Sequence, residues 1–302
     1  MKGKQWIKGC LPAPLKQWLK ALIQGSQDLP LSSPIKQYFE DGRVPWSVGY
    51  TEYKFQQIEQ AINTSGLLNC FYERQILPPG YGYRLDERIV EYPWVFSRSA
   101  DWGLRILDAG STLNKPLLLD HPSLRSKEIL ICNLAQDWNA NRPNVTYLTG
   151  DLRNLEVPQE SMDIVVCIST LEHIGLDNTM LYSTERRFQE DRPSDYKIAL
   201  REFRRILVNG GRLLLTIPFG KAKNHGWLQQ FDQLGVQKII EEFGGQAIDV
   251  SYFQYKPTGW IRSSAEKCQD CEYFDIHAKK HCDPDYAAAA RAVVCIDLMR
   301  KN

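Results

Sequence analysis

Net charge is the first thing this sequence lacks. Its 302 residues carry 37 Lys and Arg against 36 Asp and Glu, a formal balance of +1. Phosphate binding needs a basic field, so nucleic acid is not expected as a partner of the whole chain. No apolar run is long enough to span a bilayer, and no long apolar core of a secretory signal stands near the start. A reducing, cytoplasmic setting is the expectation, and it suits Cys132 and Cys167, which fall in apolar stretches where a thiol acts as a small apolar group. Internal repeats and low-complexity tracts are missing too. So is a Gly-x-Gly-x-x-Gly turn after an apolar strand, which disfavours a nicotinamide-dependent oxidoreductase. What remains is an ordinary globular composition, 43% hydrophobic and 24% charged. The length suits one large domain with extensions, or two small ones.

The informative stretch is 104–219. An apolar run, 104–109, ends in Asp108 and the turn Gly110-Ser111. A second run spans 128–133 and ends at Asn133. A third leads through Val145 and Leu148 to Asp151-Leu152, and a fourth, 162–168, leads into Ser169-Thr170-Leu171-Glu172-His173. A helical pattern at 196–207 precedes Asn209-Gly210-Gly211 and a fifth run at 212–219. Strands alternating with helices, with acidic or small residues at the strand ends, describe a nucleotide-type α/β fold. Past it, 231–243 reads as an amphipathic helix stopped by Gly244-Gly245, and 246–255 and 290–299 read as two more strands.

This ordered set resembles the class I S-adenosylmethionine-dependent methyltransferases. The features that carry the resemblance are the glycine turn after strand one, Asp151 after strand three, Leu171-Glu172-His173 after strand four, and the segment from Glu202 to Gly211 before strand five. It implies a doubly wound, mostly parallel seven-stranded sheet with an antiparallel edge strand, spanning 99–302 with an insertion at about 257–286. A helical extension with lid character, 1–98, precedes it. The resemblance also implies S-adenosyl-L-methionine as cofactor, held by Asp108, Gly110, Ser111, Asn133, Asp151, Leu152, Ile168 and Ser169. Asp108 would meet the ammonium of the cofactor, directly or through water, and the start of the helix after strand one would meet its carboxylate. Asp151 would accept from the adenine amino group, the Leu152 amide would meet a ring nitrogen, and Ile168 and Ser169 would flank the methionine part. Two departures stand out. The turn has a single glycine, followed by Ser111-Thr112-Leu113-Asn114, and Asn133 stands where the family usually has an acid for the ribose. An amide forgoes the charge-assisted bond, which is roughly twice as strong as a neutral one; Asp137 is the substitute by register shift.

Methyl transfer is an in-line displacement, so a protein mainly aligns the partners and excludes water. A hydroxyl or amine acceptor gains from a base, and His173 and His225 are the candidates, beside the packing role that His173 has in many members of the family. Trp94, the polar loop 176–195 and the loop 224–227 are expected to line the acceptor pocket. Charged loops suit a hydroxylated or glycan-type acceptor, and O-methylation is the expected reaction. The other reading is a non-catalytic binding or scaffold protein with an eroded cofactor turn.

Two segments stand apart. Residues 1–27 carry five lysines and no acid, with Leu15, Trp18 and Leu22 on one helical face. That is the composition of a peripheral membrane anchor, or of a helix packed on the domain itself. Cys268-x-x-Cys271, with His281-Cys282 beyond, has zinc-knuckle spacing without a clean second pair, so no metal is expected. A thioredoxin-like role is disfavoured because no strand-to-helix junction is expected before Cys268.

Overall fold

The computed structural model describes residues 32–279 and 281–301. The basic segment 1–27 lies outside the described residues. Apolar runs of five to seven residues form β1 (Arg105–Ala109), β2 (Glu128–Asn133), β3 (Val145–Thr149) and β4 (Met162–Ile168). They pair in parallel with β5 (Leu207–Pro218). A two-strand hairpin, β6 (Lys223–Asn224) and β7 (Gln229–Gln230), follows β5. Then β8 (Gln246–Lys256), β9 (Gly259–Ser263) and β10 (Ala292–Met299) complete the sheet as antiparallel members. The strand order is β3-β2-β1-β4-β5-β10-β8-β9.

Period-two alternation divides the strands between two cores. In β4, Ile164, Val166 and Ile168 face one, while Val165 and Cys167 face the other. The first is covered by α1 (Ser33–Glu40), α2 (Tyr50–Ile62), α3 (Ser65–Tyr72) and α4 (Arg88–Phe96). Between β1 and β2 lie α5 (Pro116–Leu119) and α6 (Pro122–Arg125). The second core is covered by α7 (Tyr196–Ile206) and α8 (Gln233–Phe243). In α7, Tyr196, Ala199, Leu200, Phe203 and Ile206 are buried, the spacing of one helical face. Asp232 caps α8 by accepting from the Gly235 N–H at 2.8 Å, and Gly244 ends it in the left-handed conformation.

Three features depart from the sequence expectation. The sheet has eight strands rather than seven, because β9 occupies the start of the segment read as an insertion. Gly259, at φ +118°, lets the chain reverse onto β8, and Trp260 packs inward. Second, β5 begins at Leu207 and runs through Gly210-Gly211, which were read as a turn before the strand. Gly210 has φ +77°, and the register against β4 shifts there, so the glycines make a bulge instead. Third, Pro116 and Pro122 cut the chain after β1 into helices of four residues each. So short a helix has little dipole to offer a carboxylate.

The structure makes α4 the most enclosed helix of the first face: every residue from Ile89 to Phe96 is buried. Pro93 leaves the Ile89 carbonyl without its helical donor, and the Tyr81 hydroxyl replaces it at 2.5 Å. Trp94, expected in an acceptor pocket, is fully buried. Its indole N–H donates to Asp249 at 3.3 Å and Arg98 lies 3.9 Å over its ring, so it is a core residue.

Candidate functional site

The strand order reverses between β1 and β4, and ligands of such sheets sit beyond the carboxyl ends of the strands at that point. A cleft of about 450 Å³, counting solvent at its mouth, lies there. Gly110, Asn133, Asp151, Leu152, Thr170 and His173 line it, together with Arg153, Tyr182 and Glu190. Gly110 has φ +103°, and a β-carbon placed on it would lie 2.2 Å from Thr170 Oγ1. The turn therefore takes only glycine, and it leaves backbone exposed to a ligand.

The strand ends differ in what their side chains already do. Asp108 is fully buried and accepts from the Thr112 N–H and hydroxyl at 3.1 Å each, and from the Leu113 N–H at 2.8 Å. Burial pushes its carboxyl up to about 7, against these three donors. Both oxygens brace the turn, so Asp108 is not free to meet an ammonium. Ser111, also left-handed at φ +60°, donates to Asp137. Asn133 Oδ1 accepts from the Tyr182 hydroxyl at 2.8 Å. Asp151 is paired with Arg153, whose guanidinium reaches it at 2.6 Å and also reaches Glu190 at 2.8 Å and Asp195 at 2.7 Å. Burial pushes Asp151 up, but Arg153 outweighs this and holds it below the usual carboxylate range. Ile168 is buried in the sheet and does not reach the cleft surface. Ser169 donates to Glu91 at 2.6 Å.

His173 lines the cleft, and its Nδ1 lies 2.8 Å from the Trp227 carbonyl. A carbonyl only accepts, so Nδ1 carries the proton and Nε2 keeps its lone pair. Burial pushes the imidazole down to about 4, which keeps it neutral. His225 is placed elsewhere. It lines a second cavity with Lys223, Tyr273 and Asp275, and Trp227 and Tyr273 stand between the two histidines. Its Nε2 is buried without a partner, and burial and then Lys223 lower its pKa. The expectation that both histidines serve one pocket does not hold, because the β6–β7 hairpin turns His225 toward the segment after β9.

The loop 176–195, expected at the acceptor, lies against the strand ends of the cleft, with Tyr182 bonded to Asn133 and Glu190 to Arg153. Several contributors were not singled out in the sequence: Arg153, Thr170, Tyr182 and Glu91. Glu91 is fully buried at the ends of β4 and β5, accepts from Ser169 and Thr216, and pairs with Arg88 at 2.6 Å. Its signal was a lone acid inside the apolar run 89–96. Glu172 is buried beside it in the chain after β4, with one carboxyl oxygen unpartnered, and burial raises it well above the carboxylate range. Among the described residues no three His, Cys, Asp or Glu side chains gather as metal ligands.

Residues 126–215, from β2 through most of β5, match the family model described as a methyltransferase domain. That span carries a methyltransferase domain within a mostly parallel, doubly wound sheet. No curated protein matches this chain in sequence. Solved structures similar to it include 1,6-didemethyltoxoflavin-N1-methyltransferase of Burkholderia thailandensis with bound 1,6-didemethyltoxoflavin and S-adenosylhomocysteine. The identity is 11%, over 98% of this chain and 94% of that one, with a TM-score of 0.43. An S-adenosylmethionine-dependent methyltransferase of Mesorhizobium loti is 13% identical over 66% of this chain and 92% of that one, with a TM-score of 0.40. The N-methyltransferase NodS of Bradyrhizobium japonicum is 9% identical over 68% of this chain and 90% of that one, with a TM-score of 0.39. Among the described residues no helix is long and apolar enough to cross a membrane.

Proposed function

We propose that the methyltransferase acts on an oxygen of a small hydroxylated or glycan-type acceptor, with His173 as the base. The observation that carries this is the Trp227 carbonyl, which fixes the neutral imidazole with its Nε2 lone pair available beside the cleft. A bound S-adenosylmethionine supplies the activated methyl group. The chain's own residues align the acceptor, exclude water and take the hydroxyl proton at Nε2 of His173.

The cleft residues fit that cofactor. Gly110 supplies close backbone approach, Asn133 stands at the end of β2 for the ribose, and Asp151 with the Leu152 amide stands at the end of β3 for adenine. Ser111 and Ser169 flank the methionine end, while Asp108 and Ile168 act one layer below, holding the turn and the wall.

Isothermal titration with S-adenosylmethionine and S-adenosylhomocysteine tests the cofactor site. Micromolar binding is expected, and no heat at millimolar ligand would favour a scaffold that keeps only the fold. Incubation with labelled cofactor and panels of hydroxylated, amine and thiol acceptors then tests the acceptor. Methyl transfer to amines alone would remove the oxygen assignment.

A further inference from the structure

The Cys268-x-x-Cys271 segment takes no part in the methyl-transfer reading. In the structure it follows a strand-to-helix junction that the sequence did not suggest: β9 ends at Ser263 and α9 (Ala265–Cys268) begins after the single residue Ser264. The Cys271 N–H then bonds to the Cys268 carbonyl at 2.9 Å, closing a turn that brings the two thiols within hydrogen-bonding reach. Their surroundings differ. Cys268 is fully buried, whereas Cys271 is part-exposed and lines the cavity that also holds Lys256, Tyr273 and Arg291. The side-chain N–H of Gln254 donates to Cys271 Sγ at 3.4 Å.

We propose that Cys268 and Cys271 form a dithiol site for small-molecule disulfides, with Cys271 attacking and Cys268 resolving. Burial opposes a thiolate at Cys271, but the Cys268 S–H and the Gln254 N–H point donors at it, and Lys256 and Arg291 supply positive charge. The hydrogen bond from Cys268 leads these effects and takes the Cys271 thiol down to about 6, while Cys268 moves the other way, well above the usual thiol range. Cys132, Cys167 and Cys295, in the sheet, are all pushed up instead, by burial foremost.

The chemistry balances. The Cys271 thiolate attacks one sulfur of a disulfide RSSR, forming Cys271–S–S–R and expelling RS⁻, which takes up a proton. With the thiolate charge gone, Cys268 loses the group that held its proton. Its sulfur gives that proton to solvent and attacks Cys271 Sγ, and the second RS⁻ leaves. The protein dithiol has lost two electrons and two protons, and the small disulfide has become two thiols.

The magnitude can be checked at pH 5.5. A thiol of pKa about 6 is roughly 240-fold richer in thiolate there than one of the unperturbed 8.5, and its lower intrinsic nucleophilicity takes back all but about 10–20-fold. The test incubates the full chain with oxidised glutathione at pH 5.5 and maps peptides by mass against a reference peptide thiol. The expected result is a Cys268–Cys271 disulfide forming about tenfold faster than the reference reacts. Cys268→Ser should instead hold glutathione on Cys271, and Cys271→Ser should leave Cys268 unmodified. The proposal fails if both thiols of the folded wild type stay reduced while other cysteines react, or if Cys271→Ser carries glutathione on Cys268. The wild-type measurement decides the matter even where a variant does not fold.

Discussion

Gly110→Ala is the sharpest test of how the cofactor turn is built. Two costs add. The backbone at φ +103° is one that L side chains rarely adopt, which costs about 1–3 kcal/mol. The new β-carbon also meets three Thr170 atoms at 2.2, 2.5 and 2.9 Å, and Thr170 is held by a 3.0 Å bond from its hydroxyl to the Ile168 carbonyl, so it cannot simply turn away. Overpacking of this kind costs about 1–3 kcal/mol more. The sum is about 2–6 kcal/mol, a fall in melting temperature of roughly 4–20 °C for a domain of this size. Thr170→Gly removes all three clashing atoms but not the backbone strain. The double variant should therefore regain about half of the loss and still bind S-adenosylmethionine weakly, because the added methyl group fills the approach to the turn. Scanning calorimetry of the four proteins and titration of each with cofactor measure both parts. A Gly110→Ala protein that melts within 2 °C of the wild type, about 1 kcal/mol or less, and binds at full strength refutes the account.

Asp151→Ala should weaken cofactor binding by about 1.5–3 kcal/mol in titration; undiminished affinity would show that the carboxylate serves only Arg153. Glu91→Gln keeps an acceptor oxygen for Ser169 and Thr216 but leaves Arg88 without its charge partner, and chemical denaturation should show a loss of about 3 kcal/mol, the low end for a buried pair because Arg88 is partly exposed. With His173 held down to about 4, the acid limb of kcat/KM should lie near pH 4, and a limb at 6.5 would exclude His173 as the base. The linked stability has a definite sign. Above pH 6.5 neither state is protonated at this site. Between 6.5 and 4 the unfolded chain takes up the proton first, so stability falls as pH drops through that window, and His173→Ala should flatten the fall. Deleting residues 1–27 should abolish sedimentation with anionic liposomes and spare cofactor binding if that segment is an anchor; lost thermal stability alone would mean core packing.

The strands were legible because each is a short apolar run bounded by a polar or glycine residue, and the residues that end β1, β2 and β3 fall where the pattern put them. Their side-chain commitments were not legible. Asp108 bonds residues four and five positions on, but Asp151 shares Arg153 with Glu190 and Asp195, about forty residues away, and Asn133 meets Tyr182, a pairing that no local pattern encodes. Trp94 misled because an aromatic in a helical or lid segment ahead of the first strand looks the same in sequence whether it lines a pocket or, as here, fills the core under Arg98. β9 was missed because its five residues, Gly259–Ser263, include only two large apolar side chains, Trp260 and Ile261. His225 was assigned to the wrong cavity because a two-residue hairpin strand decides its direction, and so short a strand leaves almost no periodic signal.

The bonds from Tyr182 to Asn133 and from Arg153 to Glu190 and Asp195 tie one loop across the place where adenosine would lie. For a ligand seated under that loop these bonds have to part first, so we predict that binding follows a unimolecular opening step. In stopped-flow experiments the observed association rate should rise with cofactor concentration and then level off at the opening rate. Tyr182→Phe, which removes one tie, should raise that plateau. The same loop re-formed over the ligand should slow its departure, giving a longer residence time than the equilibrium affinity alone suggests. A rate that climbs linearly to the highest concentrations, equally in wild type and Tyr182→Phe, would mean that the loop stands aside in solution.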